Sequence, residues 1–227
     1  MKRALLVFFR AAYLSLLVLS LLFLTRHFFQ RTNWNKDRLY HQLLSGSERQ
    51  QLRAASILVQ LGGQKQLLDA LKDGKAETRS VARKALEYLW FNLAGPEAFR
   101  LTQSAYEEAD KQHFDEALTL LDRVVKQFPN FAEGWNQRAS VYWQMGRYEK
   151  SIVDSKRALI LNPKHYGAWQ GLGVCWLKIG DVAEACRCLR HALEILPHDS
   201  ATLEALQECE NLLRKDPPKP DPTIQLI

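Results

Sequence analysis

No acidic residue stands before Asp37, although the chain carries 25 of them. Six of its 31 basic residues, Lys2, Arg3, Arg10, Arg26, Arg31 and Lys36, fall in that same stretch, which leaves residues 37–227 with 25 charges of each sign. The net charge of +6 is therefore confined to one end, and the neutral remainder argues against a nucleic-acid-binding face. Also missing are a Gly-rich phosphate loop, a nucleophile elbow and any His and Cys set that completes four metal ligands. Cys186, Cys188 and His191 come nearest, but on a helix these three point in different directions. The carboxylates Glu107, Glu108, Asp115, Glu116 and Glu133 read as solvated charge on helical faces. No enzymatic activity, cofactor, metal or small-molecule substrate is expected. Cysteine is scarce as well, at four in 227 residues. A chain of this length buries a core without staples, and Cys186 and Cys188 diverge too far on a helix to bridge, so buried free thiols are expected.

Charge is nearly absent from residues 4–24, where Arg10 stands alone and Ala11 to Leu24 carries none. As a helix this stretch would measure about 30 Å, enough to cross a bilayer core. Leu24-Thr25-Arg26-His27 offers no small-x-small cleavage site, so a retained transmembrane signal anchor over residues 4–24, inside a basic segment 1–36, is expected. That reading predicts a single-pass protein, of the bacterial inner membrane in the first place. A mitochondrial or plastid membrane is the alternative, since an acid-free start also fits an organellar address. Basic residues flank the span on both sides and leave its orientation open.

What is abundant is internal repetition. Trp135, Tyr142, Gly146, Tyr148, Ala158 and Pro163 answer to Trp169, Trp176, Gly180, Val182, Ala192 and Pro197 at a spacing of 34. A fixed period of this length marks stacked helical hairpins that share one core. In that frame the alanines sit where helices approach closely, the aromatics fill gaps between hairpins, and the proline ends the second helix. Residues Ala132 to His165 and Tyr166 to Asp199 resemble tetratricopeptide repeats. A divergent third unit, Ala98 to Phe131, keeps Leu101, Phe114, Ala117, Val124 and Pro129 but has Gln112 at the turn glycine. Ser200 to Lys215 is expected to be a capping helix.

Upstream, apolar residues recur at three and four from Leu52 to Leu89, broken at Gly62-Gly63 and Asp73-Gly74, with Ser47 and Ala76 opening new helices. This stretch resembles one and a half HEAT-type repeats. Trp90, Phe91 and Leu93, ahead of Ala94-Gly95-Pro96, are too apolar for a free linker and are expected to pack on the first tetratricopeptide hairpin. The predicted fold is thus all-α, a right-handed solenoid of three repeat units plus a cap, preceded by HEAT-like hairpins and one N-terminal transmembrane helix. Its parts are the anchor (1–36), a HEAT-like segment (37–95), the repeat domain (96–215) and a Pro-rich tail (216–227).

The resemblance implies that the first helices line a concave groove for a partner protein's peptide or helix. Its groove-facing places include Tyr106, Asn136, Ser140, Trp143, Gln170 and Lys178, with Tyr106 and Trp143 as anchors and Asn136, Gln170 and Lys178 orienting the ligand. Some relatives clamp a C-terminal carboxylate with Lys, Asn and Arg; Thr102, Tyr106, Gln137, Gly167 and Gly171 stand at those places, which argues against that ligand. A membrane-anchored interaction scaffold or assembly factor is the expected function. An accessory, non-catalytic subunit or regulator of a membrane enzyme complex is the alternative.

Overall fold

The computed structural model describes residues 13, 15–24 and 33–215, and among these it is helical, with turns and no strand. Tyr13 and residues 15–24 belong to α1. The chain separates into two compact units, residues 1–86 and 87–227. Among the described residues no helix is long and apolar enough to cross a membrane. This overturns the expected single-pass anchor, and with it the bacterial inner-membrane or organellar location. The rest of residues 4–24, the flanking basic residues 2, 3, 10, 26 and 31, and the Pro-rich tail 216–227 lie outside the described residues.

In the first unit, α2 (Asn33–Ser45), α3 (Glu48–Gln60) and α4 (Gln64–Asp73) pack on one another, and α5 (Ala76–Asn92) begins. The breaks fall where the sequence places them. Ser47 starts α3 with its backbone N–H donating to Gln50 at 2.8 Å, and Gly62 follows that helix in the left-handed region, at φ 64°. The core is aliphatic, built from Leu39 and Leu43 of α2, Leu58 of α3 and Leu67 and Leu71 of α4. Buried Gln66 donates to Asp37 at 3.1 Å, so its amide is not left unpaired.

The second unit is a run of hairpins: α6 (Pro96–Asp110) with α7 (Phe114–Gln127), α8 (Ala132–Gln144) with α9 (Tyr148–Leu161), α10 (Tyr166–Lys178) with α11 (Val182–Ile195), then α12 (Ser200–Lys215). Each helix packs on its sequence neighbour, and α6, α8, α10 and α12 also meet in succession. The amphipathic spacing explains this. In α7, Ala117, Leu118, Leu121, Val124 and Val125 form one buried stripe. Each second helix has its C-cap directly before a proline: Phe128 before Pro129, Asn162 before Pro163 and Leu196 before Pro197. Turn geometry repeats as well, with positive φ at Gly146 and Gly180 and, in the divergent unit, at Gln112.

All four cysteines are buried free thiols. Cys188 joins the core between the second and third hairpins, whereas Cys186 packs with Cys209 against α12, so the two side chains face different interfaces. The apolar stretch that closes α5 divides. Phe91 meets Phe99 of the first hairpin edge-on, with centroids 6.4 Å apart, as expected. Trp90 instead stacks on His165, just ahead of α10, and Leu93 is exposed.

Candidate functional site

Two cavities open on the face shared by α6, α8 and α10. The larger, about 260 Å³, is lined by Asn136, Ala139, Ser140 and Trp143 of α8, Ser151 and Ser155 of α9, and Gly167, Gln170, Gly171 and Val174 of α10. The smaller, about 180 Å³, is lined by Ala105, Tyr106, Ala109 and Asp110 of α6, Leu121 of α7, and Gln137, Ser140, Val141 and Gln144 of α8. Ser140 borders both and makes them neighbours along one face. Gly167 and Gly171 leave the α10 wall of the larger cavity without side chains.

Of the groove residues named from the sequence, Asn136, Ser140, Trp143 and Gln170 come together around the larger cavity, and Tyr106 borders the smaller. Trp143 is 40% and Tyr106 55% exposed, so both present ring surface to an incoming molecule. Lys178 is exposed in the last turn of α10 and lines neither cavity. Gln170 also holds the fold together. Its Nε2 donates to Asp199 Oδ2 at 2.8 Å and to the Thr202 hydroxyl, which fixes the start of α12 against α10.

The larger surprise is Glu133. A solvated charge was expected, but the side chain is 5% exposed and its Oε2 lies 2.8 Å from His165 Nε2. Gln137 also donates to it, and Asn136 is a further hydrogen-bonding partner. Burial by itself pushes the carboxyl pKa up; attraction to His165 and the hydrogen bonds from His165, Gln137 and Asn136 outweigh it, so the net shift is downward. His165 meanwhile accepts from Ala168 N–H through Nδ1 at 3.2 Å and so caps α10. The repeat frame held a signal for this pair: His165 occupies the place that Phe131 takes one unit earlier.

Arg138, on α8, reaches away to other carboxylates. It grips Asp154 through Nε and Nη2 at 2.7 and 2.8 Å, and Asp122 through Nη1 at 2.8 Å, under the rings of Trp135 and Tyr142. The bidentate contact to Asp154 and the single one to Asp122 together tie α7, α8 and α9. Among the described residues no group of three or more His, Cys, Asp or Glu side chains is placed to hold a metal.

Tetratricopeptide-repeat models match residues 102–155 and 142–209. Over those residues the hairpins are of the tetratricopeptide-repeat type. A TPR repeat-containing protein of Rhizobium etli is 31% identical over 104 residues, covering 46% of this chain and 51% of its own length. Anaphase-promoting complex subunit 3 of Schizosaccharomyces pombe is 28% identical over 122 residues, 54% of this chain but 18% of that protein. The chain thus spans about half the length of the first relative and far less of the second. Among solved structures, the first TPR of Spaghetti (RPAP3) bound to the HSP90 peptide SRMEEVD superposes with a TM-score of 0.51 at 19% identity, over 52% of this chain and 94% of that one. The Sgt2 TPR domain from Aspergillus fumigatus gives 0.51 at 21%, over 56% and 88%. These two likenesses establish the fold of the repeats.

Proposed function

We propose that the repeat unit is a protein-interaction scaffold or assembly factor that holds a peptide or helix of a partner protein along the α6–α8–α10 face. The observation that carries this reading is the pair of adjoining cavities with two exposed aromatics beside them, Tyr106 and Trp143. Large rings flanking a concave surface supply contact area at low entropy cost and make effective anchors. Ser140 and the amides of Asn136 and Gln170 give the polar contacts that orient a backbone, and Lys178 adds a charge at one end. The larger cavity has no lysine or arginine in its lining. An acidic peptide such as the SRMEEVD held by the RPAP3 domain would find no counter-charge there, whereas an uncharged or apolar segment suits it.

The test is selection of a random-peptide display library on the full chain, followed by binding of the enriched peptides to a Tyr106→Ala, Trp143→Ala double variant. Loss of binding with an unchanged melting temperature supports the site. Retained binding places the interface elsewhere, and no enrichment on the wild-type chain rejects the reading.

A further inference from the structure

One end of the α6–α8–α10 face is already in contact with the chain's own α5. Phe99, Glu133 and Gly167 occupy equivalent places 34 residues apart in the first turns of the three helices, and Gly167 lines the larger cavity. Phe91 lies edge-on against Phe99. Trp90, 2% exposed, stacks on the His165 imidazole at 4.7 Å and lies 5.5 Å from the Tyr166 ring. The Tyr166 hydroxyl donates to Glu87 at 2.6 Å. His165 in turn is joined to Glu133, and its imidazole stands 3.5 Å from where a Cβ on Gly167 would be. Trp90, His165, Gly167 and the cavity therefore follow one another without a gap.

We infer that the end of α5, residues 87–92, is an intramolecular occupant of this end of the groove, which closes it to a partner until α5 is displaced. The inference rests on the groove reading above and concerns its regulation. Glu87 and Trp90 are three residues apart and share one helical face, so the occupant is a helical turn presenting a carboxylate and a large aromatic together. A partner that displaces α5 supplies the same contacts at this end, a carboxylate for the Tyr166 hydroxyl and an aromatic three residues on, while its uncharged part lies along the larger cavity, and it must outcompete the tethered copy. A short tether gives that copy an effective concentration on the order of millimolar.

A synthetic peptide of residues 84–95 of this chain is the probe. A Trp90→Ala, Phe91→Ala double variant of the full chain should bind it at least about tenfold more tightly than the wild type, whose own copy excludes it. The same peptide carrying Trp90→Ala should bind neither chain. Equal affinity for both chains, or none for the variant, overturns the inference. Should the double variant fail to fold, Tyr166→Phe replaces it: faster amide exchange confined to residues 87–93 supports the occupancy, and acceleration throughout the repeats, or none, overturns it. If the occupancy fails on these outcomes, library peptides that bind the wild type but not the Tyr106→Ala, Trp143→Ala variant still leave the groove reading standing.

Discussion

The indole of Trp169 donates to the carbonyl oxygen of Pro163 at 3.0 Å, across the loop that joins one hairpin to the next. Trp135 makes the same bond to Pro129 at the same distance, 34 residues earlier. The proline ends a helix and leaves its carbonyl without a helical partner; the tryptophan of the following helix satisfies it and covers the junction. Each such pair fixes how one hairpin leaves the last. Trp169→Phe should therefore cost about 1 kcal/mol through loss of the hydrogen bond. Trp169→Ala should cost about 3 to 5 kcal/mol because the junction is also emptied. Urea unfolding of both variants checks this: no loss in Trp169→Phe would mean that the bond contributes nothing beyond packing, and equal losses would mean that the ring adds nothing beyond the bond.

Ala158 shows why small residues recur at the helix crossings. It is fully buried in a cluster with Ala168 and Leu172 of the next hairpin. Ala158→Leu should destabilise by about 1 to 3 kcal/mol through overpacking. An unchanged unfolding midpoint would contradict the close approach of α9 and α10.

The hairpins were legible because their determinants are local and periodic: an apolar stripe, a turn glycine, a closing proline. Even the capping helix could be read, from Ser200 to Lys215, by continuing the frame. What escaped was whatever depends on two distant residues meeting. Glu133 looked like a surface charge because nothing within one helix shows that His165 comes back to it across a whole repeat. Trp90 was recognisably buried, but its partner lies 75 residues on, and apolarity alone does not choose among hairpins. At the site, the exposed rings of Tyr106 and Trp143 follow from helical register, whereas the cavities between α6, α8 and α10 depend on how the hairpins stack. The apolar run at the N-terminus suggested a span from composition alone, and among the described residues no helix is long and apolar enough to cross a membrane.

The divergent turn at Gln112 offers a gain rather than a loss. Gln112 sits at φ 64°, where its counterparts are Gly146 at 72° and Gly180 at 88°. A Cβ in the left-handed region costs roughly 1 to 2 kcal/mol. Gln112→Gly should recover about 1 kcal/mol, offset in part by the freer unfolded chain. The converse change, Gly146→Ala, should lose a similar amount; no neighbour lies within 4 Å of the added Cβ, so the backbone angle is its only cause. Denaturant midpoints that move the same way in both variants would rule this out.

Glu133 makes the repeat unit sensitive to acid. Its folded pKa is held below the ordinary carboxylate value, because attraction and hydrogen bonding at His165, Gln137 and Asn136 outweigh the cost of burial. A depressed folded pKa gives stability that is complete above the unfolded value, about 4.3 for a glutamate, and is lost as pH falls through the folded value. Unfolding midpoints should therefore be insensitive to this group between neutrality and about pH 5, then drop more steeply in the wild type than in Glu133→Gln, which has no carboxylate to protonate. At neutral pH the more drastic Glu133→Leu should cost about 1 to 3 kcal/mol, since it leaves the buried His165 Nε2–H without an acceptor. Coincident acid limbs in the wild type and Glu133→Gln would show that the buried pair is not what titrates. Because His165 also supports Trp90, Glu133→Leu should loosen the end of α5 as well, which hydrogen exchange across residues 87–92 reads directly.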